Sequence, residues 1–283
     1  MNRILFEKSE IVDGVVTFDD VRAEHVLNVL HGEVGQVLKT GEVDGKIGTG
    51  VIKSIDTSCG GDLSSDHPII RPAGHVRISV SVCHDEESRR PWVDLILAPP
   101  RPRVMKRLLP QLATLGVGRI VLVGAKKVEK DFWGATLLKE ENYRPLLVDG
   151  LMQAGTSILP TLETRRNFRK FVKEELDVLF PASTRIVAHP YGGNCQIDGL
   201  TDCLIDGVPR CRGVAGTANQ SIGQSVNQTL LLAIGPEGGW TDDEVALLEE
   251  HGFARYSLGS RILRTDTATI ALLAQLMQVY DQA

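Results

Sequence analysis

Leu230-Leu231-Leu232-Ala233-Ile234-Gly235-Pro236-Glu237-Gly238-Gly239-Trp240-Thr241-Asp242-Asp243-Glu244 is the stretch from which the fold can be read. Its first five residues are all aliphatic, the pattern of a short strand buried on both faces. Three glycines and a proline then turn the chain sharply and let its backbone approach a ligand closely. Thr241 and Glu244 fit a capping box, with Thr241 as N-cap and Glu244 at N3, so a helix begins at Asp242. Strand, turn and helix in this order place the loop at the carboxyl end of a parallel strand, where open α/β sheets bind ligands. The side-chain cap already satisfies the helix start, which argues against a phosphate on its N–H groups. No Lys-Ser/Thr follows the glycines and no G-x-G-x-x-G follows the first strand, so neither common nucleotide fingerprint applies. Two readings stay open: a plain strand-to-helix turn, or a loop that recognises a ligand through its backbone. Glu237, at the loop tip, reads first as a solvated acid.

Toward the C-terminus a second unusual loop follows, Leu258-Gly259-Ser260-Arg261-Ile262-Leu263-Arg264-Thr265-Asp266-Thr267-Ala268. It joins a strand, 255–258, to a last helix, 266–280. Thr265 or Asp266 is expected to N-cap that helix. Arg264 stands where the helix dipole disfavours a cation. It is therefore either a surface arginine paired with Asp266 or a residue for a ligand or RNA.

Toward the N-terminus the alternation continues. Strands are expected at 93–98, 119–123, 161–163 and 185–188. Helices are expected at 102–115, 141–154 and 167–179. In the first of these helices Met105, Leu108, Leu109, Leu112 and Leu115 recur at helical spacing, between Pro102 at its first turn and Gly116 at its C′ position. Pro110 sits inside and is expected to kink it. Such alternation implies a mostly parallel sheet covered on both faces. From Pro190 to Gln228 the pattern stops in a Gly-, Ser-, Asn- and Gln-rich stretch, expected to be a mobile surface loop. The first 82 residues differ: short strands at 15–18, 34–38, 47–55, 69–70 and 76–82, a short helix at 24–30, and an Asp44-Gly45 pair that signals a type I′ hairpin. They are expected to form a small, partly closed β-barrel, separated from the α/β part by the charged stretch 83–91.

Composition bounds the class. Of the 283 residues 42% are hydrophobic and 24% charged, as in globular proteins, and no apolar run is long enough to span a bilayer. Acids close behind the first apolar residues argue against a secretory or transit leader, so a cytoplasmic location is expected. The five cysteines are odd in number and scattered, which suits reduced thiols better than a disulfide framework. His189, Cys195, Cys203 and Cys211 lack the tight Cys pairs of structural zinc, so no metal is expected. The net charge of −5 conceals an uneven distribution: residues 101–173 carry 15 Lys/Arg against 6 Asp/Glu, within an otherwise acidic chain. That segment is either a solvated helix surface or a phosphate-binding patch.

The two loops, with Met105-Lys106-Arg107 and Ala188-His189-Pro190, resemble the SPOUT methyltransferases, and most closely the ribosomal RNA small subunit methyltransferase E family. In the first part, His25-Val26-Leu27-Asn28-Val29-Leu30 and Gly45-Lys46-Ile47-Gly48-Thr49-Gly50 are similar to that family's PUA-like domain. The resemblance implies an N-terminal PUA-like RNA-binding β-barrel over 1–82 and a SPOUT α/β domain with a deep trefoil knot over 91–283. It implies a homodimer, S-adenosyl-L-methionine as cofactor, and ribosomal RNA or the small ribosomal subunit as partner. The implied reaction is methylation of a uridine at N3. The cofactor residues implied are His189, Pro190, Ile234, Gly235, Pro236, Glu237, Gly238, Leu258, Gly259, Ile262, Leu263, Thr265 and Ala268. The implied catalytic residues are Arg264, to stabilise charge on the uracil carbonyls or bind phosphate, and Asp266, to accept the N3 proton. The family usually has glutamate at the Asp266 position, and often arginine where this chain has His31. Two further readings are another RNA target for the same chemistry, and a non-catalytic RNA-binding assembly protein.

Overall fold

A computed structural model of the protein describes residues 2–57, 76–181, 183–191 and 229–280. The chain divides into two compact units, one of Met1–Arg89 with Leu151–Leu159, the other of Arg90–Gly150 with Pro160–Ala283.

In the first unit, strands β1 (Ile4–Phe6), β2 (Val15–Phe18), β3 (Val37–Glu42), β4 (Ile47–Thr57) and β5 (Val76–Glu86) form one sheet in the order β1-β3-β4-β5-β2. β1 runs parallel to β3, and the other pairings are antiparallel. Phe6, Val16, Phe18, Ile52, Ile78 and Val80 form the core with Ala23 and Val26 of helix α1 (Val21–Asn28). That helix starts earlier than expected because Asp20 caps it, accepting from Arg22 N at 2.9 Å. The Arg22 guanidinium lies over the Phe6 and Phe18 rings and pairs with Asp20 and Glu10. β3 begins later than expected: Gly35, at φ +89°, turns the chain between Val34 and the strand. The hairpin after β3 also departs from expectation. A type I′ turn needs positive φ at both central residues, but of Asp44 and Gly45 only Asp44 has it, at +57°. Residues 43–45 form the loop instead, closed by Gly45 N to Glu42 O at 3.0 Å. Asp44 is held there by Ser157 O and by Leu159 N, partners distant in sequence. The strand expected at 69–70 lies outside the described residues.

The second unit is an all-parallel sheet of β6 (Val93–Leu97), β7 (Val117–Val123), β8 (Thr161–Arg165), β9 (Thr184–Ala188), β10 (Leu230–Ile234) and β11 (Ala254–Tyr256). Their order is β11-β9-β10-β6-β7-β8. On one face Ile96, Val121, Val187, Leu231 and Ala233 pack with Phe168, Phe171, Leu176, Val245 and Leu248. These last come from the helical run that starts at Phe168 and from helix Asp242–Glu250. The run is not uniform, since a π-helical turn, Phe171–Glu175, joins Phe168–Lys170 to Leu176–Leu179. The alternate residues Leu95, Leu97, Ile120 and Leu122 are as deeply buried, as period-2 alternation requires. Helix α2 (Pro102–Thr114) packs against β7 and against the terminal helix, Thr265–Tyr280, which in turn packs on β10. The sheet is thus covered on both faces, and the expected α/β architecture is present.

α2 buries Met105, Leu108, Leu109 and Leu112 and continues through Pro110 to Thr114. Gly150 allows a neighbouring helix, Glu140–Ala154, to approach that proline: a Cβ there would sit 2.1 Å from Pro110 O. Gly116, at φ +80°, ends α2 as its C′ position predicts. Among the described residues no helix is long and apolar enough to cross a membrane. Of the loop expected at 190–228, all but Pro190 and Tyr191 lies outside the described residues, with Cys195, Cys203 and Cys211.

Candidate functional site

β9, β10 and β11 are adjacent in the sheet and end at Ala188, Ile234 and Tyr256, so the three loops that follow them converge. They enclose a cavity of about 360 Å³. Its wall includes every residue expected to hold a cofactor: His189 and Pro190; Ile234, Gly235, Pro236, Glu237 and Gly238; Leu258, Gly259, Ile262, Leu263, Thr265 and Ala268.

The Gly235 loop is held from several sides. Gly239 takes φ +70° and donates to Pro236 O at 2.7 Å, closing the turn. Pro236 and Trp240 are buried, whereas Glu237 and Gly238 face solvent. The Trp240 indole lies against Gly235, where an added Cβ would stand 3.0 Å from the ring. Its other neighbour is the Phe168 ring, 5.2 Å away. The capping box is present, with Thr241 N donating to Glu244 Oε2 at 2.9 Å. The same carboxylate, although buried, also accepts from Lys126 N at 2.7 Å through Oε1. Lys127 Nζ donates to Gly238 O at 2.7 Å and so braces the loop tip.

The other two loops are tied chiefly to each other and only lightly to the first. His189 N donates to Tyr256 O at 3.0 Å, and its Nδ1 lies 2.6 Å from Tyr191 O. Ser257 Oγ donates to Pro190 O at 3.2 Å. Thr265 Oγ1 reaches Gly235 O at 3.4 Å, a weak link at that length. The expectation that Thr265 or Asp266 caps the terminal helix is not met. The helix already includes Thr265, and Ala268 N donates to Arg264 O, which puts Arg264 itself at the N-cap. Thr265 is buried between the loops instead.

Arg264 and Asp266 flank Thr265 but do not line the cavity. The Arg264 side chain is 67% exposed and its Nε stands 3.7 Å from Asp266 Oδ1. A second guanidinium, Arg107 of α2, stands 3.7 Å from Asp266 Oδ2. The carboxylate thus lies between two arginines, beyond hydrogen-bond range of both.

Sequence reasoning missed several lining residues, notably Trp240, Tyr256, Tyr191 and Leu272. Trp240 had a signal, being a large aromatic directly after a glycine pair in an aromatic-poor chain. The indole Nε1 is buried and has no partner among the described residues. Apart from His189, Glu237 and Arg261, the wall is apolar side chain, hydroxyl and exposed backbone. Such a surface suits a flat, largely uncharged group with a few hydrogen-bonding edges better than a polyphosphate. Among the described residues no cluster of His, Cys, Asp or Glu could hold a metal.

Comparison with known proteins agrees with this geometry. The model of the RNA methyltransferase domain family matches residues 86–277. The chain is similar to the ribosomal RNA small subunit methyltransferase E of Treponema pallidum, at 28% identity over 97% of this chain and 90% of that one. It is similar also to ribosomal RNA small subunit methyltransferase E 1 of Borreliella burgdorferi, at 22% identity, covering 96% and 95%. Among solved structures it shares its fold with a ribosomal RNA small subunit methyltransferase E from Neisseria gonorrhoeae bound to S-adenosyl methionine. That match has a TM-score of 0.64 and 19% identity over 99% of this chain and 98% of that one. The resemblance drawn from the two loops is borne out.

Proposed function

Because the chain belongs to the RNA methyltransferase domain family, we propose that it methylates N3 of a uridine in small-subunit ribosomal RNA, with S-adenosyl-L-methionine as donor. The observation that carries the reading is the cavity at the ends of β9, β10 and β11, walled by apolar side chains, hydroxyls and backbone. The relatives' names, and the cofactor bound in the Neisseria structure, support it.

In this reading S-adenosylmethionine supplies an electrophilic methyl group. The chain's residues do the rest. The Gly235 loop and the Leu258–Leu263 segment hold the adenosine part, chiefly through backbone groups, and the Trp240 indole packs beneath Gly235. Methyl transfer is an in-line displacement, so holding donor and acceptor in line supplies much of the acceleration. Uracil N3 becomes nucleophilic as its proton leaves. Asp266 accepts that proton, and Arg264 stabilises the negative charge that grows on the uracil carbonyls. N3 thus takes up the methyl group, and the N3 proton passes to the Asp266 carboxylate.

The resemblance further assigns a PUA-like RNA-binding role to residues 1–82, a trefoil knot and the methyl transfer to residues 91–283, a homodimer as the working form, and a cytoplasmic location. Nucleoside mass spectrometry of ribosomal RNA from a strain deleted for the gene tests the substrate. Loss of N3-methyluridine supports the reading, and its persistence rejects it. Calorimetry with S-adenosylmethionine tests the cofactor independently, since a non-catalytic protein of the same fold would give no binding heat.

A further inference from the structure

Helix α2 carries Arg103, Lys106 and Arg107 in its first two turns and no acid anywhere along its length. Spaced i, i+3 and i+4, the three share one face, opposite the buried Leu108, Leu109 and Leu112 stripe. All three are exposed. The helix dipole disfavours cations at this end, so the stripe does not serve the stability of α2. Nor is it neutralised by neighbours. Arg101, just before the helix, pairs with Glu129 at 3.2 Å. Arg107 has only the 3.7 Å approach to Asp266, and Arg103 and Lys106 have no ion pair among the described residues. That approach also fixes where the stripe lies: it ends beside Asp266 and Arg264, at the rim of the cofactor cavity. Arg264 breaks the same dipole preference at the head of the terminal helix. Two neighbouring helix starts thus present unbalanced arginines to one side of the cavity.

We infer that this face of α2 takes the sugar–phosphate backbone of the RNA strand that delivers its base to the cavity, beside Arg264. Arg103 and Lys106 contact phosphates flanking the target nucleotide, and Arg107 contacts the phosphate nearest Asp266. The inference rests on the methyltransferase reading above and adds the path of the substrate. A planar guanidinium grips phosphate oxygens in pairs, while Lys106 acts as a point charge. Phosphate contacts position the strand without reading its sequence, so the stripe sets affinity and register rather than choice of base.

The test uses the full chain and a labelled fragment of small-subunit ribosomal RNA, with affinity measured by fluorescence anisotropy across a range of salt. The double variant Arg103→Gln/Lys106→Gln removes two exposed cations that make no ion pair or side-chain hydrogen bond among the described residues, so the fold is expected to be retained. It is expected to bind RNA more weakly and to flatten the plot of log affinity against log salt by about 0.7–0.9 per cation removed. S-adenosylmethionine binding, measured by calorimetry, is expected to stay at the parent value. Lys170→Gln/Lys173→Gln, on the other side of the sheet, is expected to leave the slope unchanged. A parental slope in the α2 variant, or an equal flattening in the Lys170/Lys173 pair, overturns the inference. So does a changed oligomeric state with an unchanged slope, which would make the stripe a contact for a second copy of the chain. If the unsubstituted protein binds cofactor but no RNA, the proposed substrate itself falls, and the two failures are told apart.

Discussion

The two loops that dominate the cavity are built in opposite ways. The Gly235 loop is braced: Pro236 and Trp240 are buried, Glu244 holds both the following helix and Lys126 N, and Lys127 clamps Gly238 O. The loop from Leu258 to Arg264 is open. Gly259, Ser260, Arg261 and Arg264 are all exposed, and Ile262 is 73% exposed although it lines the cavity. Its strongest tether to the braced loop is one long hydrogen bond, from Thr265 to Gly235 O. A fixed wall suits a ligand that is the same in every turnover, because preorganised contacts lose little entropy on binding. An exposed wall with cations at its end suits a large, charged substrate that comes and goes. In the proposed reading both loops hold the cofactor, the first as the fixed wall, and the second also carries Arg264 toward the RNA.

The sharpest break in that division is Arg264→Ala. Turnover should fall by about 10²–10³-fold, the usual loss when a donor to a developing oxyanion is removed. Cofactor affinity should not change, and single-turnover kinetics beside calorimetry reads both. Gly235→Val tests the other loop. The added side chain meets the Trp240 ring, so cofactor binding should be lost at concentrations that saturate the parent, with turnover lost in step. Glu244→Ala probes the brace rather than the cavity. It removes an acceptor from Lys126 N and from the helix cap, and should lower stability in urea unfolding by about 2 kcal/mol. Thr241→Ala removes one side of the same cap and should cost about 1 kcal/mol. The smallest effect is expected at Ile262→Ser, which should weaken cofactor binding a few-fold and shift unfolding by less than about 0.5 kcal/mol, as exposed positions do. A larger stability loss at Ile262 than at Thr241 would reverse the assignment of braced and open loops.

Much of this architecture was legible because its determinants are local. Leu230–Ile234 has to be a buried strand, Thr241 and Glu244 have to cap a helix, and Gly116 has to end one. The residues expected at the cofactor cavity come together because they follow strand ends, and strand ends were readable. What was not legible depends on partners far along the chain. Asp44 abandons a type I′ turn because Ser157 and Leu159 hold it otherwise. Thr265 gives up the cap for a buried place beside Gly235. The placing of β10 between β9 and β6 has no local signature, yet it decides which three loops meet. Arg107 shows the same limit from the functional side: its role as a neighbour of Asp266 follows only from the packing of α2 on the terminal helix.

The most direct test of the central claim is methyl transfer in vitro. Small-subunit ribosomal RNA lacking the modification would be incubated with the protein and isotopically labelled S-adenosylmethionine, then digested to nucleosides for mass spectrometry. Label is expected in N3-methyluridine with the parent protein, and at a rate lower by about 10²–10³-fold with Arg264→Ala. Label in a ribose methyl or in another base, or none despite cofactor binding, would contradict the claim.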